Sequence, residues 1–147
     1  MPASDTMATD LLTLLFINTA WAFLGDAAGL PKSVGDGNFT FALSTGTLSA
    51  SSTQATTEAT YTSYVRKSFA RGAATWTVTA AQVTNDSVIQ FVAATGGTNT
   101  ITDFSIGTDQ VADEMYIWGA LTASLNVSNG IQPEFAAGDM DVNVSTT

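Results

Sequence analysis

The sequence predicts a mainly β protein: an antiparallel β-sandwich or barrel-like domain with one N-terminal α-helix and a long Ser/Thr-rich arm. Three observations predict it. About eight or nine short apolar runs recur at near-regular intervals, several of them alternating with a period of two. Turn formers separate them, among them Gly96-Gly97 and Asn129-Gly130. Only one stretch, close to the N-terminus, spaces its apolar residues as a helix does.

In chain order, residues 1–8 read as a flexible tail and residues 9–147 as a single β-rich domain. Thr9 or Asp10 can cap a helix over about 9–24, ending at Gly25. Leu14, Ile17, Trp21 and Leu24 share one face of it, and Leu11, Leu15, Phe16, Ala20 and Phe23 widen the stripe. A core helix packed on a sheet is the reading, because a lipid-surface helix would carry Lys or Arg on its polar face and this one has none. Residues 25–38 form a Gly- and Asp-rich loop, and 39–43 alternate as a first strand. Residues 44–60 carry one charge, Glu58, and almost no large apolar side chain, which predicts a long exposed arm that orders on a neighbouring subunit. Strand character resumes over 61–71, with Val65, Lys67 and Phe69 on one side and Tyr64, Arg66 and Ser68 on the other. Further strands are expected at 76–79, 88–92 and 100–106. Residues 115–118 are apolar on both faces, which suggests a central strand or one that meets a partner. Asn129-Gly130 predicts a hairpin turn, and residues 140–144 close the sheet.

Composition excludes several chemistries. The 147-residue chain holds neither Cys nor His, so disulfides, Cys/His zinc sites, thiol nucleophiles and Ser-His-Asp triads are impossible. With 13 acidic and four basic residues the net charge is −9, the opposite of a nucleic-acid footprint. Charged residues make up 12%, about half the usual share, as expected where subunits cover one another. The acidic N-terminus lacks the basic start of a secretory signal, and the apolar run at 11–24 is too short to cross a bilayer. The expectation is a soluble chain made in a cytoplasm, binding neither nucleic acid nor membrane.

Carboxylates are the remaining acid–base groups. Asp139 and Asp141 would point the same way on a strand, and Asp113 and Glu114 are adjacent. Neither pair has the setting of a glycosidase site, and both read as turn and edge carboxylates. No calcium loop and no phosphate-cradling glycine pattern occurs. Accordingly no catalytic residue, cofactor or metal ligand is assigned. One charged feature remains: Arg66, Lys67 and Arg71 place three of the four basic residues within six positions, beside Tyr61 and Tyr64. These five are the candidate partner-binding residues, gripping an acidic surface. Alternatively the charges balance acids within the chain or blunt an edge strand.

From Thr53 onward the local patterns follow an order. They are STQATTEATYTSYVR ending at Arg66, a W-T-V strand at Trp76, then Asn85, Ile89 and Phe91, and Thr95-Gly-Gly. After these come T-x-F-S-I-G-T over 102–108 and GALTASLNVSNGIQPEFAAG over 119–138. In this the chain resembles a bacteriophage virion structural family labelled tail fibre or head decoration (capsid cement) protein. The resemblance implies a non-enzymatic β module that assembles on the particle. The leading expectation is a cement protein on the outside of the head, bridging the major capsid protein lattice and pairing with copies of itself as a trimer or dimer. A tail or tail-fibre component is the alternative, and a lectin-like module or an enzyme is a third.

Overall fold

The computed structural model describes residues 5–19, 37–108 and 112–144. Helix α1 (Asp5–Leu12) leads into a π-helical turn, Thr13–Ile17, and strands β1 (Asn38–Ser44), β2 (Lys67–Ala70), β3 (Trp76–Thr79) and β4 (Gln82–Asn85) follow. Then come β5 (Ile89–Gln90), β6 (Asn99–Thr108), β7 (Ile117–Val127), β8 (Glu134–Phe135) and β9 (Asp141–Asn143). The protein is mainly β, as the alternation predicts, and the paired strands whose register is defined run antiparallel.

The chain divides into two compact units. One comprises Met1–Gly37, Ala70–Val88 and Phe135–Thr147, the other Asn38–Phe69 and Ile89–Glu134.

In the first unit, α1 and the turn after it pack against β3 and β4, and the sheet order is β3-β4-β9. Ala8, Leu12 and Phe16 are buried together with Trp76, Val83 and Met140. The Phe16 and Trp76 rings meet edge to face at 4.8 Å. Trp76 donates its indole N–H to the Ala70 carbonyl at 3.0 Å, which satisfies the one polar atom the ring brings inside. Asn85 is buried and organises the approach to β9: its amide donates to the carbonyls of Ser87 and Ala136, and its Oδ1 accepts from the Met140 N–H.

In the second unit the sheet order is β2-β1-β6-β7. Register places Phe41 opposite Ile106, Ala42 opposite Ser105 and Leu43 opposite Phe104. One face therefore collects large apolar side chains, and Phe41 meets Phe69 edge to face at 6.1 Å. The other face collects Ala42, Ser44, Asp103, Ser105 and Gly107, all buried although small or polar. The segment after β1 covers them.

That cover corrects the expectation of an arm at 44–60 that orders on a neighbouring subunit: Thr45, Thr47, Ser49, Ser51, Thr53 and Thr57 are exposed as expected, but the segment lies along its own sheet. Leu48, Gln54 and Ala59 are buried, and the segment is laced to the sheet. The Ala59 N–H donates to the Leu43 carbonyl and the Leu48 N–H to Asp103 Oδ2. Gln54 donates from Nε2 to the Thr40 carbonyl at 2.8 Å. The physical reason is that a small-residue face accepts backbone at close range, so hydroxyls, amides and backbone groups do the tethering that large apolar residues do elsewhere.

Other expectations also change. The helix starts at Asp5, so residues 5–8 are not tail. Its regular part is shorter than 9–24, because Asn18 takes a left-handed conformation (φ 55°) after the π turn. The expected helical positions 20–24 lie outside the described residues. The strand expected over 61–71 contracts to β2. The turn at Asn129-Gly130 forms, with Gly130 at φ 86° and the Ile131 N–H bonded to the Ser128 carbonyl, but no hairpin follows. Instead Gly130 donates to the Ala94 carbonyl, and β8 pairs with β5. The strand beginning at Ile117 is an edge rather than a central strand, which leaves Tyr116 and Trp118 half-exposed.

Candidate interaction site

The STQATTEATYTSYVR segment supplies the site's framework. Thr56 Oγ1 accepts the Thr53 N–H, tightening the turn that presents Gln54. Thr57 shares a 2.6 Å hydroxyl hydrogen bond with Ser44. Glu58 is the anchor. Arg66 meets it side-on, Nε to Oε1 and Nη2 to Oε2, both at 2.7 Å, and Nη2 also donates to Asp113 Oδ1. Such a fork-to-fork pair holds orientation as well as charge. The hydrogen bond to Glu58 is the main reason the guanidinium's pKa lies above its ordinary value. Tyr64 donates its hydroxyl to Glu58 and accepts the Leu43 N–H, each at 3.0 Å. Burial pushes the Tyr64 phenol well above its ordinary range, and burial raises Tyr61 too. Tyr61 is buried, donates to the Val92 carbonyl, and meets Tyr64 edge to face at 5.2 Å.

Of the five residues singled out by sequence, the structure thus gathers Tyr61, Tyr64, Arg66 and Lys67 in the second unit, and places Arg71 in the first. There Arg71 donates to the Leu14 carbonyl at 2.9 Å and to Asn18. The hydrogen-bonding groups of Tyr61, Tyr64 and Arg66 are engaged within the unit. Lys67 makes no ion pair among the described residues.

Lys67 lies on the wall of an open concavity of about 440 Å³, lined also by Val65, Gln90, Phe91, Val92 and Gln132. Val65 is 57% and Val92 45% exposed, so apolar surface borders the ammonium group. Sequence alternation puts Val65 with the core residue Phe69 and gives no sign that residues 90–93 and 132 close the same depression; their convergence depends on tertiary folding. A second depression, lined by Thr45, Thr98, Asn99, Thr100, Asn126 and Ser128, is polar and uncharged.

Several carboxylates also help hold the fold while staying at the surface. Asp113 serves Arg66, Asp139 accepts the Ala136 N–H, and Asp141 accepts the Thr84 hydroxyl. Among the described residues no three Asp or Glu side chains gather as metal ligands, and no helix is long and apolar enough to cross a membrane.

Comparison with curated proteins gives no match. A family model, podophage GP4 fiber I protein gp80, matches residues 2–143. The match covers both compact units and the whole of the ordered pattern that begins at Thr53. The chain therefore belongs to the podophage GP4 fiber I protein gp80 family, a family of phage virion structural proteins.

Proposed function

We propose that the chain is a non-enzymatic fibre component on the outside of the particle, acting by adhesion: it joins virion subunits through many modest contacts. The family match over residues 2–143 carries this reading. The site geometry supports it, because the polar residues of the family pattern tie the fold together, while the apolar and cationic surface around Lys67 is left for contact. A second reading, a decoration subunit bridging the major capsid protein lattice, is favoured by the absence of tandem repeats in the sequence that would extend a shaft. Gold-labelled antibody against the chain on intact particles, combined with copy number per particle, tests both. Label at the tail with few copies supports the fibre component. Label over the head at lattice stoichiometry replaces it with decoration. Absence of the chain from purified particles overturns both.

A further inference from the structure

We propose that the concavity bounded by Val65, Lys67, Gln90 and Val92 docks an extended, carboxylate-bearing segment of a second copy of this chain, head to tail; this rests on the reading of the chain as an assembling virion subunit. Charge selects the occupant. Each copy carries 13 acidic residues against four basic ones, so cationic surface is scarce and carboxylates are plentiful. Arg66 and Lys67, two of the four cations, line this one depression. Arg66 is neutralised by Glu58 and Asp113, whereas Lys67 has no carboxylate among the described residues. A neighbouring copy offers exposed acids at Asp86, Glu134, Asp139 and Asp141.

Charge also selects the geometry. A two-fold contact of the concavity with itself would set Lys67 against Lys67. A heterologous contact sets it against an acidic surface, the arrangement in which two chains of net charge −9 attract locally. Heterologous contacts close into rings or continue as filaments. The backbone favours an extended guest: among the described residues neither Val65 nor Ala93 spends its backbone N–H or C=O on a hydrogen bond. A guest strand can pair there while its apolar side chains cover Val65 and Val92.

Sedimentation velocity on the purified full chain across a concentration series tests this, with Lys67→Glu, Val92→Ser and, as a control of equal added acid, Ala55→Glu at an exposed loop position. The wild type is expected to form rings or open chains larger than a dimer. Lys67→Glu and Val92→Ser should each weaken association about tenfold or more with unchanged thermal melts, and Ala55→Glu should leave the concentration dependence near that of wild type. A wild type that stays monomeric, a closed two-fold dimer, or a Lys67→Glu variant that associates as well as Ala55→Glu overturns the proposal. Detection of the wild-type chain in purified particles decides the virion role separately, so either conclusion can fail without the other.

Discussion

At the scale of single residues, the family pattern marks where backbone and side chains come closest. Gly107 in T-x-F-S-I-G-T is an example: a Cβ there would meet the Glu114 carbonyl inside contact distance and the Gln54 side chain at 2.8 Å. Gly107→Ala should cost about 3 kcal/mol, read as a fall in the urea midpoint at unchanged slope. Gly119 is small for a related reason, since the Phe104 ring of the facing strand lies over it. Arg66→Lys keeps the charge but cannot reproduce the fork on Glu58, and should lose about 1–2 kcal/mol. A double-mutant cycle with Glu58→Gln should return most of that loss as coupling; additive effects would remove the pair as an anchor. Arg66→Glu consequently tests folding before it tests binding. Tyr64 adds a pH dependence. Burial raises its folded-state pKa above that of the unfolded chain, so its stabilisation is fully present below about pH 10 and is lost as pH rises through the folded value. Chemical denaturation from pH 8 to 12 should show stability falling above about pH 10, less steeply in Tyr64→Phe, with Tyr61 and Tyr116, whose pKa values are also raised, supplying the remainder.

At the scale of elements, what could be read in advance follows from how strands and loops encode their burial. Strands β1, β3 and β9 declare themselves by alternation, because one face of each carries the larger apolar side chains and the other small or polar ones. The cover over 45–59 does not: Gln54 is buried there with its amide on the Thr40 carbonyl, and the exposed Thr57 hydroxyl bonds the buried Ser44, whereas composition signals the exposure of the Ser and Thr residues and not their attachment to the sheet. The apolar pattern at β7 is ambiguous as well. Apolar residues on both faces suggested a central strand or one that meets a partner; β7 is an edge, and it slips register against β6 between Ile101 and Asp103, where Leu121 to Ser124 face Thr102 alone. The candidate site divides in the same way. Lys67 was visible as part of a basic cluster, whereas Glu58 and Asp113 as partners of Arg66, and Val92 as a neighbour of Lys67, arise only on folding. The tethering of the cover is itself testable. Limited proteolysis should spare residues 45–59 in the wild type. Gln54→Ala, which removes the bond to the Thr40 carbonyl, should lower stability by about 1–2 kcal/mol and open the segment to cleavage. Equal cleavage of the two proteins would show that Gln54 does not hold it.

At the scale of the whole chain, the two compact units are interleaved in sequence. The first is assembled from Met1–Gly37, Ala70–Val88 and Phe135–Thr147, so its core depends on residues far apart along the chain. Met140 and Val83 are buried in it, β9 completes the sheet beside β4, and the Met140 N–H satisfies the buried Asn85 side chain. Removal of residues 135–147 would leave Asn85 without the Ala136 carbonyl and the Met140 N–H, and would remove the Met140 side chain from its place in the core. The second unit keeps β1, β2, β5, β6 and β7 in such a truncation, together with the Glu58–Arg66–Tyr64 network. Loss of order should therefore begin in the first unit. Trp76 reports on it, being 1% exposed and edge-on to Phe16. In a Trp21→Phe, Trp118→Phe background, truncation after Glu134 should shift Trp76 fluorescence to the red, while hydrogen exchange in β1 and β6 stays slow. An unshifted Trp76 would mean that α1, β3 and β4 hold their core without β9, and that the last thirteen residues serve something other than the fold.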